Sequence, residues 1–471
     1  MLFHTPTFLV FFLAFAAVYF ATPPGRGRVY VVLVFSNVFY GWWDWRFLGL
    51  LWITKVVDYA LSLRIARTDD QRRRNLLLAG SVVTNLGILG FFKYWNFLID
   101  SGGALRVDLS GLRVQGLILP VGISFYVFQS MSYVIDVYRR RIEPAGSLVE
   151  FAAFVSYFPQ LVAGPIERAD NLLPQILRPA PVTAARIASG AFLFACGFLR
   201  KALGDVLAGL VNPVLGDVGA ATPGAVVLAV LGFGGQIYLD FSGYSEMARG
   251  MARAMGVDLM ANFASPYLAT SFRDFWHRWH ISLSEWLRDY LYVPLGGNRG
   301  GLAGTLRNLM ITMLLGGLWH GAGWNFVIWG FLHGLFLVSN VLWDRGVPAP
   351  RTAVTRALRA AGGWIVTFLG VQYAWIYFRL ATLQEAVIVN RRIAEWLAHP
   401  SLPVASWTLL AILAPIFVLD LVQRDRGPVF SSPEPTPLRD LAFGALAGCF
   451  LLLGVILLAG QPTQQFIYFQ F

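Results

Sequence analysis

Residues 270–334 read TSFRDFWHRWHISLSEWLRDYLYVPLGGNRGGLAGTLRNLMITMLLGGLWHGAGWNFVIWGFLHG, and they hold four of the chain's six histidines, His277, His280, His320 and His333. The two halves of this stretch differ in character. Phe272–Tyr290 carries Arg273, Asp274, His277, Arg278, His280, Glu285, Arg288 and Asp289, too dense a set of polar groups for hydrocarbon. On a helix, Phe272, Phe275, Trp276, Trp279, Leu283, Trp286, Leu287 and Tyr290 fall on one aromatic stripe. The pattern predicts an amphipathic helix at a membrane interface or along a cavity. From Asn308 to Leu332, by contrast, the one titratable side chain is His320. An imidazole at membrane depth is unfavourable unless it has a use, which makes His320 a functional-site candidate.

Working outward, the composition says what surrounds that stretch. The chain has 471 residues, 56% hydrophobic and 13% charged, with a mean hydropathy of +0.59. A soluble domain carries about 25% charged residues. Long apolar runs recur along the whole chain, whereas the strands of a membrane barrel alternate apolar and polar residues. The fold class is therefore all-α, a polytopic membrane bundle. The net charge of +11 resides in short loops, above all RIARTDDQRRRN (64–75), where a positive-inside bias and anionic lipid account for it without nucleic acid. Cys196 and Cys449 lie in apolar runs and read as packing residues.

Thr7–Ala21, Val29–Gly41, Phe47–Leu63, Leu76–Ile99 and Leu117–Tyr138 read as spans joined by alternately basic and non-basic loops, which places the N-terminus in the periplasm. The first run lacks a basic leader and reads as a retained span rather than a secretory signal. After Pro144 the alternation fails. Pro159, Gly164, Pro165 and Pro174 interrupt an apolar stretch, which predicts re-entrant or short tilted segments covered by protein. Arg186–Ala202 and Pro223–Leu239 follow as spans, then a partly polar helix with Asp240, Glu246, Arg249 and Arg253. Trp364–Leu380, Trp407–Val422 and Leu441–Ala459 complete the set, and the aromatic tail QPTQQFIYFQF suits packing back on the bundle. The expected organisation is one membrane domain: N-terminal spans over 1–143, a core with broken helices over 144–343 and C-terminal spans over 344–471.

His277 and His280, three apart, would share a helical face. Zinc is disfavoured there: no HExxH pattern or cysteine cluster accompanies them, and Arg273 and Arg278 would repel a cation. No metal is expected. His320 is set among Gly316, Gly317, Gly321 and Gly323, small residues that leave room for a close helix or a ligand. The uncharged setting favours the neutral ring, the form that can take up a proton. The plainer alternative is a hydrogen-bonded packing residue. His333 reads as structural, being thirteen residues further on. GGNRGG (296–301) reads as a connector, with a phosphate cradle as the alternative.

WHRWHISLSEWLRDYLYVPLGGNR followed by LLGGLWHGAGWNFVIWGFLHG resembles the membrane-bound O-acyltransferase family, in its bacterial alginate-acetylating branch. YGWWDWRF, FFKYWNF, LPVGISFYVFQSMSYVIDVYR, FVSYFPQLVAGPIER, YLDFSGYSEMARGMARAMG and FIYFQF extend the similarity over most of the chain. The resemblance implies a helical bundle around a funnel or tunnel. It also implies that His320, in LWHG, is the catalytic histidine, and that His280, in WHIS, is the second signature position, which in the family is usually Asn or His. His320 would act as general base or receive the acyl group, and His280 would position or polarise the carbonyl. Trp319, Asn325, Asp274 and Arg288 are the residues expected to bind or orient the acyl substrate.

The implied function is a bacterial inner-membrane O-acetyltransferase. It would take acetyl from a cytoplasmic thioester, acetyl-CoA or another, with no permanently bound cofactor. It would deliver it to an exocellular or cell-envelope polysaccharide through a periplasmic SGNH-type partner and the polysaccharide synthesis machinery. Peptidoglycan acetylation and D-alanylation are variants within the family. A proton-coupled transporter is the alternative of another class, and the chain lacks the two related halves that many transporters show.

Overall fold

The computed structural model describes residues 1–104, 108–162, 164–401, 403, 405–424, 437–459 and 466. Among them the regular structure is entirely helical. The helices are α1 (Pro6–Ala21), α2 (Arg26–Gly41), α3 (Arg46–Ala66), α4 (Gln71–Leu89), α5 (Trp95–Ala104), α6 (Ile123–Tyr138), α7 (Leu148–Val155), α8 (Phe158–Leu161), α9 (Ala169–Leu177), α10 (Ala184–Gly216) and α11 (Pro223–Ala254). After these come α12 (Phe272–Arg278), α13 (Ile281–Leu287), α14 (Gly301–His320), α15 (Trp324–Gly346), α16 (Ala353–Arg379), α17 (Leu383–Ala398), α18 (Ala405–Arg424) and α19 (Pro437–Leu458). Among the described residues, four helices are long and apolar enough to cross a bilayer: Gln71–Gly102, Pro223–Ala254, Gly301–His320 and Trp324–Gly346. The chain is a multi-pass membrane helical protein. It divides into two compact units, Met1–Phe194 with Tyr244–Met260, and Ala195–Gly243 with Ala261–Phe471.

In the first unit polar side chains hold apolar helices together. Asp58 of α3, fully buried, accepts hydrogen bonds from Ser81 Oγ (2.6 Å) and Asn85 Nδ2 (2.8 Å) of α4 and from Ser130 Oγ of α6. The interrupted stretch after Pro144 forms the short helices α7, α8 and α9; Pro159 lies at the start of α8 and Pro165 stands in the gap before α9, whereas Pro174 lies inside α9. Side chains satisfy the broken backbone: Gln129 Nε2 and Gln160 Nε2 both donate to the Phe154 carbonyl, at 3.2 and 3.0 Å. Ser36 Oγ accepts from the Phe158 amide at 3.1 Å. Phe158 itself packs on Phe8, Phe11 and Phe15 of α1 at 6.5, 5.4 and 5.0 Å between ring centroids. The buried Glu167 accepts from the Met260 amide (2.6 Å) and Asn171 Nδ2 (2.7 Å), tying the loop before α9 to the segment after α11. Burial pushes its carboxyl up to about 7.

In the second unit α14 and α15 make a close hairpin. A methyl group on Gly317 would lie 2.2 Å from the Phe326 carbonyl oxygen, and one on Gly330 would lie 2.4 Å from that of Met313. Only glycine permits this approach. Lys201 of α10 is buried between Asp205 and Asp240, at 2.6 Å from each. Of the tail, Phe466 is described, and it packs on Phe241 at 5.7 Å; the rest of FIYFQF lies outside the described residues.

Some element boundaries differ from those expected. The run expected from Leu117 becomes helical only at Ile123, because Pro120 precedes it and Gly122 is left-handed at φ +72°. Leu76–Ile99 is part of a longer helical run from Gln71, with a π-turn at Gly90–Tyr94. The Pro223 span and the polar helix after it are one continuous α11. Finally, Phe272–Tyr290 is not one helix.

Candidate active site

The apolar stripe of that segment is right, since all eight of its residues are buried. Its helix, however, breaks at Trp279–His280. Ser271 caps α12 by accepting the Asp274 amide at 3.1 Å. His280 then adopts φ +42°, a left-handed conformation in which histidine, asparagine and aspartate are enriched among non-glycine residues. The preceding loop satisfies the broken backbone. Ile281 N donates to the Asn262 carbonyl (3.0 Å), Ala264 N donates to the Arg278 carbonyl (3.0 Å), and Ser282 Oγ donates to Asn262 Oδ1 (2.7 Å). As a result His277 and His280 do not share a face: His277 is exposed and His280 is fully buried. One left-handed residue has turned the second ring inward.

His280 stands edge-on to Phe241 at 4.8 Å and to Trp319 at 5.9 Å. Burial pushes its imidazole down to about 3, so it is uncharged at neutral pH. His320 is the last residue of α14 and 4% exposed. Trp319, Trp329 and Phe378 surround it edge-on at 4.9, 5.0 and 5.1 Å. Gly321 allows the turn into α15, because a side chain there would strike the Phe326 ring, 2.0 Å away. Trp319 is therefore in contact with both histidines that the sequence singles out.

Asn325 is buried, and its Nδ2 donates to the Leu380 carbonyl just past α16. Asp274 accepts from Arg278 Nε at 2.7 Å and from the Thr270 amide at 3.2 Å. Arg288 pairs with Asp289 at 2.6 Å and lines a cavity of about 870 Å³ together with Arg273, Trp276, His277, Glu285 and Arg345. The structure therefore brings together His280, Trp319 and His320. It places Arg288 on the cavity, and Asp274 on α12, the helix that supplies Trp276. Sequence reasoning missed Trp329, Phe378 and the position of His333. Trp329 and His333 are four apart on α15, so they share a face, and their rings lie 4.5 Å apart. Among the described residues no cluster of three His, Cys, Asp or Glu side chains could hold a metal ion.

A buried imidazole at a helix end, in an aromatic nest inside a multi-pass membrane bundle, fits an acyl-transferring membrane enzyme. The comparisons make the class definite. Residues 38–382 match the membrane-bound O-acyltransferase family, and the chain belongs to it. It is 44% identical over 393 residues to a probable alginate O-acetylase of Azotobacter vinelandii, covering 82% of this chain and 76% of that protein. A probable alginate O-acetylase of Pseudomonas putida is 36% identical, with 100% of both chains covered. A peptidoglycan O-acetyltransferase of Helicobacter pylori is 33% identical over 422 residues, covering 83% of this chain and 79% of that protein.

Proposed function

We propose that this protein takes acetyl from a cytoplasmic thioester and passes it across the inner membrane, its N-terminus periplasmic, for O-acetylation of an exocellular polysaccharide of the alginate kind. The observation that carries this reading is the shared packing of His280 and His320 on Trp319, in a chain that is 44% and 33% identical to proteins named for O-acetylation. In the reaction, an acceptor hydroxyl oxygen bonds to the thioester carbon while His320 takes the hydroxyl proton. The C–S bond then breaks and the thiolate recovers that proton. His280, uncharged and buried, orients the acyl group. Arg273, Arg288 and Arg345 around the cavity suit the anionic carrier portion of a thioester donor, acetyl-CoA included. A periplasmic SGNH-type transferase is the proposed recipient that completes delivery to the polymer. The Helicobacter pylori relative favours peptidoglycan as the second acceptor to try.

The test supplies radiolabelled acetyl-CoA to the purified protein in lipid discs, with and without the periplasmic partner. Transfer that needs the partner and disappears in His320→Ala is the expected result. Full transfer by a folded His320→Ala protein overturns the role of His320.

A further inference from the structure

Beyond His320 and His280 lies a second group of buried polar atoms. His333 is fully buried and stacked on Phe275 at 6.1 Å, with Trp329 at 4.5 Å and Trp276 edge-on at 5.1 Å. Trp276 and Trp329 lie 5.8 Å apart, so the three rings touch one another. Among the described residues neither nitrogen of His333 has a hydrogen-bond partner, nor does Nε1 of Trp276 or of Trp329. Burying one such group without a partner is unfavourable, and here four are gathered in one cluster.

What these atoms can do follows from their chemistry. An indole N–H only donates, and a neutral imidazole supplies one further N–H. No carboxylate or carbonyl among the described residues accepts from them. Preformed N–H donors shielded from water are what a developing oxyanion requires. The position fits as well. Trp329 touches His320 at 5.0 Å on one side and His333 at 4.5 Å on the other. Trp276 faces the cavity that Arg273, Arg288 and Arg345 surround. The cluster therefore stands between the cavity proposed for the donor and the ring proposed as base.

Resting on the acyl-transfer reading above, we propose that Trp329, His333 and Trp276 form the N–H donor set that holds the thioester carbonyl oxygen as it becomes an oxyanion. When the acceptor oxygen bonds to the carbonyl carbon, the C=O electron pair moves onto the carbonyl oxygen, which the N–H groups hold. The pair returns as the C–S bond breaks, and the departing thiolate takes the proton from His320. This assigns catalytic roles to Trp329 and His333, and makes Trp276 the third donor, on the cavity side.

The experiment measures kcat, KM and thermal unfolding of the full-length protein in lipid discs with acetyl-CoA and the periplasmic partner. The variants are Trp329→Phe, His333→Phe, His333→Gln and Trp276→Phe. Trp329→Phe and His333→Phe should each lower kcat about 100-fold or more with KM little changed. Their unfolding temperatures should hold or rise, because an unmatched polar atom has been removed. His333→Gln, which keeps an N–H donor, should recover part of the loss. Should Trp329→Phe fail to fold, replacing Trp329 by benzothienylalanine exchanges only the indole N–H for sulphur. Wild-type kcat in folded Trp329 and His333 variants overturns the donor set while leaving the acyl-transfer reading intact. Absence of any acetyl transfer by the unaltered protein overturns both.

Discussion

The indole of Trp319 meets the His280 imidazole at 5.9 Å, with the two rings inclined at 66°. Trp319 is the next-to-last residue of α14, and His280 sits in the break between α12 and α13. The contact exists because His280 takes a left-handed backbone conformation that turns its ring away from exposed His277 and inward.

That backbone makes a prediction about which residues position 280 accepts. Asparagine enters the left-handed region readily, whereas a β-branched residue does so at about 1–2 kcal/mol. His280→Asn should fold like the unaltered protein, and His280→Val should unfold at a distinctly lower temperature in detergent. The ring also sets a pH dependence. Its folded value is about 3, against an ordinary 6.5, so the unfolded chain binds the proton more tightly. The stabilising difference is fully present above about 6.5 and is lost as pH falls toward 3, at about 1.4 kcal/mol per pH unit. Unfolding measured across that window should show this acid sensitivity, and His280→Asn should remove it.

Glu167 predicts the opposite slope. Its buried carboxyl is raised to about 7 from an ordinary 4.5, so the folded protein holds the proton more tightly. Its contribution is present below about 4.5 and declines as pH rises toward 7. Thermal unfolding at pH 5 and at pH 8 should therefore differ in the unaltered protein. The difference should shrink in Glu167→Gln, which keeps an acceptor for the Met260 amide. An unchanged difference would place the proton elsewhere.

These contrasts show what the sequence made readable. All eight residues of the Phe272–Tyr290 stripe are buried as their spacing requires. The break at Trp279–His280 was not readable, because a single left-handed residue leaves the apolar period nearly intact. His320 stood out because no other titratable group occurs between Asn308 and Leu332. The place of His333 depends instead on how tightly α14 and α15 pair, and that is set by Gly317 and Gly330. Its spacing from Trp329 was visible in WGFLHG, but only the hairpin shows that Trp329 also touches His320.

The hairpin itself can be tested at Gly330. A methyl group there would come within 2.4 Å of the Met313 carbonyl oxygen and 3.1 Å of Leu314 Cα, both backbone atoms that cannot rotate away. Gly330→Ala should push α15 off α14, separating Trp329 from His320. Loss of most acyl transfer together with a lower unfolding temperature is expected. Gly304→Ala, on α14 with no atom within 4 Å of the added methyl, is the control and should behave as the unaltered protein.

The Lys201 triad gives the sharpest stability prediction. One buried ammonium lies 2.6 Å from each of two buried carboxylates, Asp205 and Asp240. Lys201→Met leaves two acidic groups buried with no cation between them, and breaking such a cluster is unfavourable by about 3–5 kcal/mol. Asp205→Asn should be far milder, since it leaves a one-to-one pair of Lys201 with Asp240. Combining Lys201→Met with Asp205→Asn and Asp240→Asn removes every charge, so much of the stability lost in Lys201→Met alone should return. The three proteins should therefore unfold in the order Lys201→Met first, the triple variant next and Asp205→Asn last. If Lys201→Met unfolds no earlier than Asp205→Asn, the ammonium is not what holds those two carboxylates inside the protein.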